Sequence, residues 1–287
     1  MNTYIQHDLH AQLDQYIQLK TEEQRRDAAA LFEGWQETMI WSALQNIQGR
    51  VFGSAGENLS LAAAQGENLS SAAAVLGDFC FLAGKPDKGL VEFAAGLEGY
   101  PFSMCILVPQ NEGWEKAIEE HLGDRARKIT RYATKKNPKV FERSRLAAMA
   151  ANIPEGYRLK FFDEPLYRQA LSEEWSLSLA AQFEDYPAFA RLGIGIAAVD
   201  AGSGSLAAGA ASYSRYDSGI EIEIDTHPNH RMQGLARCCG ARLILECLDR
   251  GLYPSWDAHN PESLHLAERF GYEPAGTYTA YEVDQEK

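Results

Sequence analysis

Ile220-Glu221-Ile222-Glu223-Ile224-Asp225-Thr226-His227-Pro228-Asn229-His230-Arg231-Met232-Gln233-Gly234-Leu235-Ala236 is the stretch whose reading decides the fold. Its hydrophobic period changes from two to about 3.6 partway along. Ile220, Ile222 and Ile224 fall on one face of a strand, and Glu221, Glu223 and Asp225 fall on the other. Beyond the polar turn, Leu235, Cys238, Cys239, Leu243, Ile244, Cys247 and Leu248 recur as they do on a helix facing a core. The stretch therefore predicts strand, glycine-containing turn, then long helix. The first N–H groups of such a helix have no intrahelical partner, and with the helix dipole they form a seat for a phosphate.

The composition sets the bounds around this unit. A chain of 287 residues suits one large domain or two ordinary ones. Hydrophobic residues at 45% and charged residues at 23% describe a globular protein. The net charge of −13 argues against non-specific nucleic-acid binding. Met1–Asp8 lack the basic and apolar regions of a signal peptide, and no apolar run approaches the roughly 20 residues that span a bilayer. A soluble, cytoplasmic protein without membrane partners is expected. The cysteines, Cys80, Cys105, Cys238, Cys239 and Cys247, show neither Cys-x-x-Cys nor a paired framework, so they read as small core residues, with no metal expected. P-loop, Gly-x-Ser-x-Gly and His-Glu-x-x-His motifs are absent.

Upstream, the pattern predicts a helix over 8–20 and a longer one over 22–48. A tandem decapeptide follows at 56–65 and 66–75, identical at eight of ten positions. Two copies of so short a unit cannot build a solenoid, and they read as a duplication extending a surface loop. Residues 78–84 and 103–109 predict buried strands, 90–96 a strand or helical turn, 112–122 a helix, and 128–134 a basic strand. Pro154-Glu155-Gly156-Tyr157 punctuates the chain and divides it into 1–155, a smaller α/β domain, and 156–287. In the second part the reading gives a strand at 158–162 and helices at 165–175 and 177–191. A hairpin at 195–213, the acidic strand and a helix to Arg250 follow. A second core strand at 252–258, a helix at 261–270 and a closing hairpin through 278–283 complete it.

Arg231-x-x-Gly234-x-Ala236 resembles the acyl-CoA pyrophosphate turn, Gln/Arg-x-x-Gly-x-Gly/Ala, of the GNAT N-acetyltransferase superfamily. Asn260-x-x-Ser263-x-x-Leu266-Ala267-x-x-Phe270-Gly271-Tyr272 resembles that family's second element, Asn-x-x-Ala/Ser-x-x-Leu-Tyr-x-x-x-Gly-Phe. The two lie in the expected element order across about 157–287. The wording of 220–228 and 252–260 looks most like a bacterial subgroup with an extra N-terminal domain, the zwittermicin-resistance-type acetyltransferases. Within that subgroup the resemblance extends to 35–41 and 77–84. It implies an α/β (α+β) GNAT acyl-CoA N-acyltransferase fold with a mixed, splayed central sheet. The N-terminal domain would wall the acceptor site or form a homodimer interface.

The resemblance further implies acetyl-CoA as co-substrate, without a metal. The pyrophosphate would meet the amides of Arg231, Met232, Gln233, Gly234, Leu235 and Ala236, and pantetheine the strand edge at Ile224, Asp225 and Thr226. Asn260 and Ser263 would contact the pantetheine or phosphate end. Three carboxylates on one face of a central strand are costly unless that face lines a cleft, and mutual repulsion would raise a pKa there. Glu221 or Glu223 is therefore the expected base for an attacking amine. Asp225 and Asp257 are expected acceptor ligands. Residues 157–287 carry 11 Lys and Arg against 20 Asp and Glu, a net of −9, which suits a small-molecule primary amine. Antibiotic, polyamine, amino-acid and protein amines all remain open, with antibiotic resistance implied by the subgroup alone. The chain departs from the family at Ala267, where a Tyr general acid commonly stands. Tyr278, Tyr281 or solvent would supply that proton. The departure also keeps open a non-catalytic acyl-CoA-binding regulatory protein.

Overall fold

The computed structural model describes residues 16–54 and 69–284. Residues 8–15 of the expected first helix, the first decapeptide copy and the start of the second lie outside the described residues. The chain forms two compact units: unit 1 is Met1–Ile129 with Thr279–Lys287, and unit 2 is Thr130–Tyr278. The boundary thus differs from the expected 155/156, for two reasons of packing. Leu146, on a helix ahead of that point, is buried among Cys239, Leu243 and Ile244 in the unit 2 core. At the other end, Tyr281 and Val283 pair with a strand of unit 1 and join its core.

Unit 1 runs β1 (Ile17–Gln18), α1 (Glu22–Ala29), α2 (Thr38–Leu44), β2 (Arg50–Ser54), β3 (Ser71–Leu76), β4 (Phe79–Gly84), α3 (Lys88–Ala95), β5 (Met104–Pro109) and α4 (Glu112–Leu122). It also holds the first residues of β6 (Ala126–Thr134) and the last of β13 (Pro274–Asp284). The expected helix over 22–48 is broken: Thr21 opens α1 with a capping box, a 3₁₀ turn follows at Ala30–Phe32, and Gly34 at φ 82° turns the chain. The described part of the second decapeptide copy also departs from expectation. Its Ser71–Val75 form most of β3, every residue of which is buried. Alanine-rich sequence here fits between the neighbouring strands β2 and β4. The segment 90–96 is helical because Asp87 caps it, accepting from the Gly89 and Leu90 amides.

Unit 2 takes the remainder of β6, then α5 (Arg143–Ala151), β7 (Tyr157–Phe161), α6 (Glu164–Ser172), a 3₁₀ turn (Glu174–Leu179), α7 (Tyr186–Leu192), β8 (Gly195–Asp200) and β9 (Leu206–Tyr216). Next come β10 (Gly219–Thr226), a 3₁₀ turn (Pro228–His230), α8 (Leu235–Asp249), β11 (Tyr253–Ser255), β12 (Asp257–Ala258), α9 (Pro261–Phe270) and the start of β13. The expected helix 177–191 is instead a 3₁₀ turn and the separate α7, restarted by the Asp185 cap with Pro187 in the first turn. The strand 252–258 is split: β11 pairs with β10, while β12 pairs with the end of β6. The expected closing hairpin is one long strand, β13.

The two units share one topology. Unit 1 from β1 to α4, and unit 2 from β7 to α9 with the short β12 set aside, each run strand, two helices, three strands, helix, strand, helix. In each of these runs the first four strands, β1–β4 and β7–β10, pair antiparallel in succession and the fourth pairs parallel with the fifth. The parallel pair requires a crossover, supplied by α3 in unit 1 and α8 in unit 2. In unit 2 the period-two pattern of β10 sorts its faces as the sequence predicts. Ile220 and Ile222 pack with Cys239, Leu243 and Ile244 of α8. The opposite side of the sheet packs Phe162, Leu166, Leu179 and Phe183 against Ala197 and Ala211. Gly240 brings α8 close, since a Cβ there would lie 2.7 Å from Phe270 and 2.8 Å from Ile224. The five cysteines are free and buried.

Candidate functional site

The strand β10 changes character midway. It pairs with β9 along its whole length, from Gly219 opposite Tyr216 to Thr226 opposite Ala208, with a bulge between Glu221 and Ile222. Its parallel pairing with β11 covers Gly219, Ile220 and Glu221 and then stops. From Ile222 to Thr226 no strand among the described residues pairs with that edge, and burial falls to partial from Glu223 on. Along that edge the backbone donors and acceptors of β10 are not taken up by β11.

This edge runs into the turn. Met232 (φ 62°) and Gly234 (φ 81°) both take left-handed backbone, and Met232 is fully exposed. Gly234 is the N-cap of α8, and no side chain caps the helix. The N–H groups of its first turn therefore face outward as a set, with the dipole behind them. The guanidinium of Arg237 lies over the same glycine, 3.4 Å from where a Cβ would stand, and its Nε is buried without a hydrogen-bond partner. Arg231 and Gln233 are exposed on the turn, with Arg231 Nε donating to the Thr226 carbonyl at 3.4 Å.

The three carboxylates have separate environments. Glu221 is 4% exposed, and its Oε1 accepts the Asp257 amide at 2.7 Å. Glu223 is half-buried beside the open edge. Asp225 accepts from the Ser178 hydroxyl at 2.6 Å. Burial pushes its carboxyl above the usual aspartate range, against the pull of Ser178 and of the Arg231 charge. A raised pKa was expected on this face from mutual repulsion; at Asp225 the leading cause is desolvation.

Other expected site residues are engaged elsewhere. Asp257 is buried and paired with Arg131, whose Nε donates to Oδ1 at 2.8 Å, while Tyr278 donates to Oδ2 at 2.7 Å. Arg131 also donates to His259 Nδ1 at 3.2 Å. Both carboxylate oxygens of Asp257 are thus engaged by side chains of unit 2. Asn260 caps α9, accepting the Ser263 amide at 2.8 Å, and Ser263 Oγ accepts from the Trp256 indole at 3.2 Å. Ala267 is buried in the unit 2 core. Tyr281 belongs to unit 1, where it is 1% exposed and donates to Glu119 at 2.6 Å. Burial and that bond push its hydroxyl up to about 12, the wrong direction for a proton donor at neutral pH.

Beside the turn lies a polar cleft of about 340 Å³, lined by Glu173, Asp200, His227 and His230 among others. His227 Nδ1 accepts the Asn229 amide at 3.2 Å, and His230 Nδ1 lies 2.7 Å from the Tyr157 hydroxyl. These contacts hold the turn in shape. Sequence reasoning missed Ser178, Arg131, Tyr157 and Arg237. Arg237 alone had a local signal, a cation on the first turn after the glycine. Ser178 and Arg131 reach their carboxylates from 47 and 126 residues away. Among the described residues no group of three or more His, Cys, Asp and Glu could hold a metal ion, and no helix is long and apolar enough to cross a membrane.

Comparison with known proteins gives the geometry a family. The chain is 42% identical to a GCN5-related N-acetyltransferase-like protein from Streptococcus suis, whose crystal structure superposes with a TM-score of 0.81 over 92% of this chain and 100% of that one. It is 26% identical to the uncharacterized N-acetyltransferase YdfB of Bacillus subtilis over 70% of this chain and 76% of that protein. A tandem GNAT protein from the clavulanic acid biosynthesis pathway, 10% identical, shares the fold with a TM-score of 0.53 over 95% of this chain and 98% of its own. Residues 29–281 match the profile of the GNAT acetyltransferases, and the chain belongs to that family.

Proposed function

We propose that unit 2 transfers an acetyl group from acetyl-CoA to the primary amine of a small molecule, by direct attack without an acyl-enzyme. The observation that carries this reading is the continuity of the half-paired strand β10 with an uncapped helix start. A pantetheine amide finds strand-like partners along the edge of Ile224 and Thr226, and a diphosphate finds the donors from Arg231 to Ala236. Gly234 admits the phosphate without a Cβ in the way.

Glu223 is the base in this reading. It shares the acidic face, lies beside the open edge and, unlike Glu221, is not sealed into the sheet. The amine nitrogen attacks the thioester carbonyl, and the ammonium proton of the tetrahedral adduct passes to Glu223 directly or through water. The C–S bond breaks as the carbonyl re-forms, and solvent protonates the departing thiolate. The acidity of this half of the chain supports a cationic acceptor. Its resemblance to zwittermicin-resistance-type enzymes puts antibiotic amines first in an acceptor screen. The proposed location is the cytoplasm, where acetyl-CoA is made.

Calorimetric titration of acetyl-CoA into the wild type tests the reading, with Gly234→Asp as control. Micromolar binding lost in the variant supports the site. No binding by the wild type sinks it.

A further inference from the structure

The shared topology of the units permits a residue-by-residue comparison of their fourth strands. In unit 1 the β3–β4 turn leads from Leu76 to its partner Phe79; in unit 2 the β9–β10 turn leads from Tyr216 to its partner Gly219. Phe79 therefore corresponds to Gly219, Phe81 to Glu221 and Ala83 to Glu223. The fifth strands align in the same way. Ile106 donates its amide to Asp78 at 2.7 Å, and Tyr253 donates its amide to Ser218 at 2.8 Å. Counting on from there, Gln110 corresponds to Asp257.

These two amides behave differently. In unit 1 the parallel ladder runs on through Leu82 opposite Pro109, and the Gln110 amide extends it by donating to the Leu82 carbonyl at 3.1 Å. The corresponding acceptor for Asp257 would be the Ile222 carbonyl. Instead the Asp257 amide donates to the Glu221 side chain at 2.7 Å. The ladder stops there, and the chain turns away to pair as β12 with β6. Where unit 1 has buried, apolar Phe81, the strands stay paired; where unit 2 has a carboxylate, they part.

We infer that Glu221 is a wedge: its carboxylate diverts the Asp257 amide from the backbone ladder and so holds open the groove between β10 and β12. It is a positioning residue, not the base. The Arg131–Asp257–Tyr278 network anchors the far side of the opening. A carboxylate suits the role because it reaches the diverted N–H and forms a charge-assisted hydrogen bond. The energetic logic is that of a buried donor, which must be satisfied by one acceptor or another.

The inference rests on reading the groove as the acyl-CoA site, so its test separates the two. Acetyl-CoA and adenosine 3′,5′-diphosphate, which keeps the nucleoside, the 3′-phosphate and the first 5′-phosphate but lacks the outer phosphate and the pantetheine, are titrated into wild type, Glu221→Gln and Glu221→Leu. Gln keeps an acceptor oxygen and is expected to bind acetyl-CoA within about twofold of wild type, whereas Leu loses about tenfold, the scale of one misplaced buried hydrogen bond. Adenosine 3′,5′-diphosphate affinity should not change in either. Equal loss in Gln and Leu, or none in Leu, overturns the wedge.

Hydrogen exchange reads the wedge without any ligand. In Glu221→Leu the Ile224 amide, next in line for a continued ladder, should gain protection, while Glu221→Gln should match wild type. Unchanged Ile224 exchange in Leu would overturn the wedge even if acetyl-CoA proved not to bind. If Leu does not fold, exchange in Gln still decides: a Gln variant whose Asp257 amide loses protection contradicts the acceptor role. Absence of acetyl-CoA binding in wild type, with the exchange pattern as expected, would sink the acyl-CoA reading alone.

Discussion

The two crossover helices, α3 in unit 1 and α8 in unit 2, occupy equivalent places and start in opposite ways. Asp87 caps α3, its carboxylate accepting from the Gly89 and Leu90 amides and from the Tyr16 hydroxyl. The cap satisfies the first-turn donors and places a negative charge where an anion would sit. By contrast, α8 begins at a left-handed glycine with no side-chain cap. The strands leading into them differ in the same sense: β4 stays paired with β5 as far as Leu82, whereas β10 parts from β11 after Glu221. Unit 1 caps its crossover helix and carries its parallel ladder on to the Gln110 amide; unit 2 does neither, and in the proposed reading this leaves a connected set of polar groups for a ligand. In that reading one topology serves as scaffold or as site according to a few side chains.

The sharpest break of this comparison is to give unit 2 the residue of unit 1 at the base position. Glu223→Ala, which copies Ala83, or Glu223→Gln should lower kcat by about 10²–10⁴-fold, the usual worth of a general base. Acetyl-CoA affinity should stay within about twofold, because the side chain acts on the amine. Steady-state rates of CoA release with an amine identified by screening check this. A kcat near wild type removes Glu223 from the mechanism.

Next in size is Gly234→Asp, which copies the capped start of α3. The carboxylate should take the helix donors and repel the diphosphate, weakening acetyl-CoA binding about 100-fold in calorimetry. The same titration should give one acetyl-CoA per wild-type chain. A second molecule bound with similar affinity would mean that unit 1 is not closed.

Smaller is the reverse change, Asp87→Ala. Loss of the cap should cost about 1–2 kcal/mol of stability in denaturant titration. It should create no second acetyl-CoA site, since the β4–β5 ladder stays paired.

The smallest effect is expected at Asp225. Its folded pKa is raised, so the folded state holds the proton more tightly than the unfolded chain does. This group therefore lowers stability progressively as pH rises from the ordinary aspartate range through the raised value, and the cost is full above it. Asp225→Asn should raise the melting temperature by a degree or two at neutral pH, on the scale of well under 1 kcal/mol. The gain should vanish in acid. A gain that persists in acid would assign the effect to packing instead.

Much of unit 2 was legible in the sequence because its signals are local. The alternation of β10, the glycine turn, the α8 stripe and the Asn260-Pro261 start of α9 each occupy one short window. Helix α4 was equally clear, with Asn111 as its cap. The failures have physical reasons too. Segment 177–191 carries helical pattern, but Asp185 and Pro187 restart it. Ser71–Val75 look like linker because alanine and serine carry little hydrophobic signal, yet flanking strands bury them. The partners of Asp257, Arg131 and Tyr278, were not legible because the pairings span 126 and 21 residues.

The sequence alone determined the strand–turn–helix, the acidic face and the family, because periodicity, glycine and capping act within a few residues. Only the tertiary structure decided which carboxylate is buried, where the β10–β11 ladder ends and that unit 1 repeats the topology of unit 2. Those are matters of pairing between distant strands, and the choice at each amide between a carbonyl and a side chain is made only when the strands meet.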